Sequence, residues 1–310
     1  MNSIIIDAPV TDEKRRELLY GGQLLVYSPT PSSLALVKFA RKMAEEVFRP
    51  HAPEMAQYHF PVERYAAILS ELKPKFIHAP ESKKCIQGML REIGADPEKT
   101  YFDVPRMRTS TSDDYLTSGI AYAFHPHRDT WYSAPMCQLN WWIPIYPIVP
   151  ENAMAFHPRY WSQGVRNGSA GYNYDEWNRT SRHNAAQFVK QDTRVQPKPE
   201  EPMELDPQIR VIAPPGGILL FSAAQMHSSV PNNSGRTRFS IDFRTVNLDD
   251  VSARRGAPNV DSACTGTSMG DYLRGTDLTH IPQDYFSLYQ AQPPITNSEE
   301  SQTPVSVQAS

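Results

Sequence analysis

The sequence predicts a mainly β fold, a jelly-roll or sandwich core with helices packed against its outside. Three observations predict it. Amphipathic helical periods fall mainly in residues 30–95, short alternating runs punctuated by Pro, Gly and Asn turns fill about 100–247, and no segment repeats. A large β unit with helical additions reaches 310 residues as one domain, so a single catalytic domain over 1–290 is expected.

Gln23 to Ser28 reads as a short strand, and Pro31-Ser-Ser then offers a cap for a helix from about Leu34 to Phe48. Leu36, Phe39, Ala40, Met43 and Val47 recur at three- and four-residue steps, as a helix lying on a core requires. A second helix is expected after Pro61, burying Tyr65, Ile68 and Leu72, and a third over Ser82–Ile93, closed by Gly94. From Tyr101 the period shortens to two. Strands are expected over Tyr101–Arg108, Gly119–His127, Met136–Ile148, Asn152–His157, Ile209–Ala213, Ile218–Val230 and Thr237–Val246. Pro214-Pro-Gly-Gly217 and Pro231-Asn-Asn-Ser-Gly235 are turns between them. The segment 158–200 is rich in Tyr, Trp, Asn and Arg and poor in aliphatics, which marks it as a lid-like insertion. A short closing helix is expected around Tyr285–Tyr289, and the Pro-, Ser- and Gln-rich residues 291–310 as a disordered tail.

With 40% hydrophobic residues there is ample material for a core, and a net charge of -3 gives no reason to expect nucleic acid or membrane as a partner. Cys85, Cys137 and Cys264 are scattered, so neither a disulfide framework nor a zinc finger is indicated. The apolar run Ile4–Ile6 is too short for a signal peptide or a span, which makes the cytoplasm the expected compartment. A small-molecule substrate and a monomer or homodimer are expected.

The chemistry is expected to centre on Phe124-His-Pro-His-Arg-Asp-Thr-Trp-Tyr132. In a strand His127 and Asp129 point to one side, aiming an imidazole and a carboxylate at a point where a divalent metal could sit, given a third ligand. His227 follows about a hundred residues later. Beyond it Arg236, Arg238, Ser240, Asp242 and Arg244 fall on one strand face, and a hairpin through the Asn-Asn-Ser-Gly turn would bring His227 and Arg238 onto neighbouring strands. Arg-x-Ser also occurs at Arg108 and Arg179, so only its place after His227 gives it meaning.

This order, His127-x-Asp129, His227 and Arg238-x-Ser240, resembles the iron(II)- and 2-oxoglutarate-dependent dioxygenases. Gly217-Ile-Leu-Leu-Phe221, Pro231-Asn232 and Ser234-Gly-Arg236 are most similar to the phytanoyl-CoA dioxygenase branch. The resemblance covers about Tyr101–Val246. It implies a cupin-like double-stranded β-helix with Fe(II) held by His127, Asp129 and His227, and with 2-oxoglutarate and O2 as cosubstrates. It also implies that Arg238 and Ser240 grip the far carboxylate of 2-oxoglutarate. The implied reaction is hydroxylation of an unactivated C–H bond of a small metabolite with release of succinate and CO2, with desaturation or ring formation as alternative outcomes. Asp129 argues against halogenation, since halogenating relatives have a small residue there.

Gln138, Asn140 and Trp142 alternate on one face of a strand that should line the barrel, and Trp142 aligns with an aromatic near the cosubstrate. Trp131 and Tyr132 either wall the substrate pocket or pack in the core. Arg106 and Arg159 are candidates for an anionic substrate group, although a solvated surface arginine is the simpler reading of each. His125 is expected to support His127 rather than to ligate. Among rivals, a kinase catalytic loop fails because Ala134 stands where Asn is required. A zinc hydrolase leaves Arg238 and Ser240 unexplained, and a non-catalytic jelly-roll binding module differs in producing no succinate.

Overall fold

The computed structural model describes residues 3–181, 187–188, 192–194 and 196–290; the expected tail and parts of the 158–200 insertion lie outside the described residues. The helical layer comprises α1 (Asp12–Tyr20), α2 (Pro31–Phe48), α3 (Val62–His78) and α4 (Pro80–Glu92). Further along come α5 (Tyr174–Thr180), α6 (Leu248–Ala253) and α7 (Gln283–Gln290). α2 begins three residues before the expected start. Thr30 accepts from the Ser33 amide and Ser33 accepts from the Thr30 amide, and Pro31 fits the first helical turn, where its missing N–H costs nothing. α1 has no counterpart in the expectations, because its inward face carries Arg15 and Arg16 rather than an apolar stripe. Arg16 pairs with Asp12 and with fully buried Asp250, 2.6 Å from its Nε.

Eleven strands are found among the described residues: β1 (Ile4–Ile6), β2 (Leu24–Tyr27), β3 (Thr100–Phe102), β4 (Arg106–Ser110), β5 (Leu139–Pro144), β6 (Met154–Phe156), β7 (Ile209–Arg210), β8 (Ile218–Ser222), β9 (His227–Ser229), β10 (Arg238–Asn247) and β11 (Leu273–Arg274). They form two sheets. The larger runs β1-β2-β8-β5-β10-β3-β11 with β4 also on β10, and the smaller runs β7-β6-β9. His127 joins the smaller sheet through a bridge to His227. The chain therefore passes from one sheet to the other repeatedly: β4, then the His127 bridge, β5, β6 and β7, β8, β9, β10.

Period-two burial explains the layers. Leu139, Trp141 and Ile143 of β5, with Ile218 and Leu220 of β8, join the core shared with α2, α3 and α4. Trp142, Leu219 and Phe221 point the other way and meet Met154 and Phe156 of the smaller sheet. Each such fully buried side chain contributes roughly 1.5–3 kcal/mol. α2 and α4 approach closely because residue 88 is Gly; a Cβ there would fall 2.1 Å from the Ser32 hydroxyl oxygen.

Two expected strands are broken. Tyr101–Arg108 divides at Asp103-Val-Pro105, where Asp103 turns its carboxylate inward, and Ile218–Val230 divides at Ala223–Met226, sending β8 and β9 to different sheets. The expected hairpin between His227 and Arg238 is corrected accordingly. β9 pairs with β6 while β10 pairs with β4, β5 and β3, so His227 and Arg238 face each other across the gap between sheets. Gly119–His127 is a 3-10 turn and extended chain with only the His127 bridge.

Candidate functional site

The open space between the sheets is a cavity of about 770 Å³. His127, Asp129 and His227 lie on its wall, with one ligand atom from each within 4.8 Å of the others, and they are the one such group among the described residues. Local structure explains the convergence. Arg128 is extended (φ -110°, ψ 143°), so its neighbours share a side, and Asp129 opens a 3-10 turn over Asp129–Tyr132. Arg128 itself points away and is 1% exposed, with its Nε 3.0 Å from Asp261 and its NH1 donating to the Ala224 carbonyl at 2.6 Å. It pins the motif from behind.

The two imidazoles are held in the form a metal needs. His127 Nδ1 lies 2.8 Å from the His125 carbonyl oxygen and His227 Nδ1 lies 2.9 Å from that of Gln225. A carbonyl only accepts, so each Nδ1 carries the proton and each Nε2 keeps its lone pair. Those Nε2 atoms stand 3.4 and 3.9 Å from Asp129 Oδ1. Burial, then the neighbouring His127, pushes His227 down to about 3, which leaves it neutral and able to ligate near pH 7. Burial alone would raise Asp129. Its contact with His127 and the Arg244 charge more than offset that and hold the carboxyl well below the usual range.

The far oxygen of Asp129 has its own supports. Arg244 Nε stands 3.6 Å from Oδ2, and Gln138 donates to it at 3.4 Å. The Gln138 amide is oriented in turn, because its oxygen accepts from the Tyr272 hydroxyl at 2.7 Å and its nitrogen also donates to Asn140 Oδ1 at 2.9 Å. Two nitrogens and a carboxylate oxygen on a largely buried wall, each second atom occupied, form a donor set that suits a divalent transition metal with open positions.

A second feature lies beside the first. Arg238 is 7% exposed and donates from NH1 to the carbonyls of Asn152 and Ala153 at 2.8 and 3.1 Å, while its Nε has no partner. Its guanidinium sits 5.6 Å over the Trp142 ring. Burial pulls it down to about 10, against which only Asp242 acts. Asp242 is itself taken by Arg108, whose Nε and NH2 donate to its two oxygens at 2.6 and 3.2 Å. The Ser240 hydroxyl on the same strand face is likewise buried without a partner. A buried guanidinium and a hydroxyl with unsatisfied donors are what a bound carboxylate would complete.

Other expected residues divide. Trp142, Asn140, Gln138, Tyr132 and Arg106 line the cavity, although the Arg106 guanidinium is already paired with Asp103. Trp131 does not reach it. The ring is fully buried among Tyr160, Val165 and Met226 and donates to Asp261 at 2.7 Å, so the packing alternative holds. Arg159 is exposed and stands off the cavity wall, in keeping with the solvated-surface alternative. His125 spans the Tyr122 hydroxyl and the Pro197 carbonyl, and supports His127 through its own backbone oxygen. From the insertion, Tyr172, Trp177 and Arg194 join the wall, with Arg194 stacked between Trp177 and Phe188.

Sequence reasoning passed over Arg244, Asp103 and Lys73. Arg244 stood in view on the Arg238 face, six residues on. Asp103 precedes a proline and carries no pattern. Lys73 lies in an amphipathic helix, where a lysine reads as solvent-facing.

No family model matches this chain, and no curated protein matches it. Among solved structures, the non-heme monooxygenase ThoJ aligns at 13% identity over 71% of each chain, with a TM-score of 0.37. EvdO2 from Micromonospora carbonacea var. aurantiaca aligns at 12% over 78% of this chain and 94% of its own, TM-score 0.42. The non-heme alpha ketoglutarate dependent epimerase SnoN from nogalamycin biosynthesis aligns at 12% over 76% and 84%, TM-score 0.36. The chemistry argued for this chain rests on its own geometry. Among the described residues no helix is long and apolar enough to cross a membrane.

Proposed function

We propose that this chain is an iron(II)- and 2-oxoglutarate-dependent dioxygenase that hydroxylates a C–H bond of a small molecule, working in the cytoplasm as a monomer or homodimer. One observation carries the reading. A His-Asp-His group stands on the same cavity wall as buried Arg238, whose Nε has no partner, and Ser240 two residues along the strand is likewise buried with its hydroxyl unpartnered. The alternation of the chain between two sheets supports a double-stranded β-helix, and Gly217–Phe221 with Pro231–Arg236 supports the phytanoyl-CoA dioxygenase-like branch.

His127, Asp129 and His227 would hold the metal, and Arg238 with Ser240 the far carboxylate of 2-oxoglutarate. When bound, this pair supplies the oxidising power that turns O2 against an unactivated C–H bond. Arg244 and Gln138 keep the Asp129 carboxylate turned toward the histidines. Trp142 shields the Arg238 guanidinium from water and so strengthens its hold on a carboxylate. Tyr132 and Tyr172, ring centroids 5.4 Å apart, line the cavity and would help keep water from the substrate, with the insertion as a lid.

Purified protein supplied with iron(II), ascorbate and 2-oxoglutarate is expected to release succinate slowly without added substrate. His127→Ala and Asp129→Ala should each abolish that release while leaving the far-UV spectrum intact. No succinate from wild type, or wild-type release from either variant, would remove the assignment.

A further inference from the structure

Six cations line the cavity: Lys73, Arg106, Arg108, Arg194, Arg238 and Arg244. Four carboxylates answer them. Arg106 and Arg244 share Asp103, Arg244 also faces Asp129, Arg108 holds Asp242 and Arg194 holds Asp192. Only Arg238 and Lys73 have no carboxylate within ion-pair distance among the described residues. Arg238 is accounted for by the cosubstrate. In the proposed reading divalent iron and dianionic 2-oxoglutarate cancel, so the wall keeps its excess of positive charge.

Lys73 comes from α3 and reaches β4, which among the described residues pairs only with β10. Its ammonium donates to the Thr109 hydroxyl at 3.1 Å and to the Ile120 carbonyl, both neutral acceptors, leaving one N–H for the cavity. Burial, then the Arg108 charge, pulls it down to about 7. A half-buried cation whose hydrogen-bond partners are neutral is stabilised when an anion arrives. Between Lys73 and the metal ligands the wall is aromatic, with Tyr122, Phe124 and Tyr132 in the lining.

We propose that Lys73 is a specificity-determining residue, and that the substrate is a carboxylic acid whose apolar body lies along the aromatic wall while its carboxylate reaches the Lys73 ammonium. The inference rests on the oxygenase reading of the site and extends it to the substrate class. A single free N–H fits one carboxylate oxygen. Arg108 NH1, which takes no part in the Asp242 contact, is a further donor on β4.

The test uses zinc-loaded protein with N-oxalylglycine in place of 2-oxoglutarate, so that the Arg238 site is filled. Two matched probes, 3-phenylpropionate and 3-phenylpropionamide, are titrated by ligand-detected NMR. Wild type should bind the carboxylate roughly tenfold more tightly than the amide, as expected of a charge-assisted contact. Lys73→Gln, which keeps donors for Thr109 and Ile120 but removes the charge, should erase the preference, and Lys73→Arg should retain it. No preference in wild type, no binding of either probe, or an unchanged preference in Lys73→Gln overturns the proposal. Failure of N-oxalylglycine to bind is read separately in the same samples and counts against the oxygenase reading, not against Lys73.

Discussion

At the scale of single residues, the site depends on second contacts more than on the ligands themselves. Asp129 is useful to a metal because Arg244 and Gln138 occupy its outer oxygen, and the histidines because backbone carbonyls occupy Nδ1. The ligand types and their order were legible in the chain, since His-x-Asp in extended backbone forces a shared side. The supports were not, because Asp103 and Gln138 gain their meaning only from strands over a hundred residues distant or from a tyrosine at 272. Arg238 carries the clearest expectation. Arg238→Ala removes the one cavity-lining guanidinium that has no carboxylate partner among the described residues, and the 2-oxoglutarate concentration needed for half-maximal succinate release should rise by roughly one to two orders of magnitude, matching a contact of roughly 1.5–3 kcal/mol. An unchanged requirement would place the cosubstrate elsewhere.

At the scale of elements, strands that read as single runs turn out to be hinged. The apolar stretch from Ile218 carries no break at Ala223–Met226 strong enough to announce itself, yet there the chain leaves one sheet for the other and delivers His227 to the cavity. Alternation reports which residues share a face, and it placed Trp142 against Leu139 and Trp141 correctly. It cannot report which sheet a strand joins, because that depends on pairing. α1 was illegible for another reason: buried arginines imitate a solvated helix until their partner is known. That partner, Asp250, receives Arg16 at 2.6 Å, the Tyr20 hydroxyl at 2.8 Å and Arg255, and so ties α1 to α6. Asp250→Ala leaves buried Arg16 with Asp12 as its remaining carboxylate and removes the acceptor that α1 and α6 share, and urea unfolding should show a loss of roughly 1–3 kcal/mol. A loss under about 1 kcal/mol would mean that water reaches the pair.

At the scale of the whole molecule, the helical layer buries one face of the larger sheet and leaves the other face, with the smaller sheet, to form the cavity. The metal and cosubstrate would therefore bind between parts that unfolding separates, and their binding should appear as stability. At a hundredfold excess over its Kd a ligand adds about 2.7 kcal/mol. For a chain of this size that corresponds to a Tm increase of roughly 5–10 °C with manganese(II) and N-oxalylglycine together. His227→Ala should show none of the increase.

The bridge between His127 and His227 has a kinetic meaning. Each residue's amide donates to the other's carbonyl at 2.9 Å, so the two rings are set at their working separation by a closed pair of backbone bonds. An arriving ion finds half of its coordination sphere already assembled. Metal binding would then require no strand to dock, since the bridge already holds both imidazoles in place.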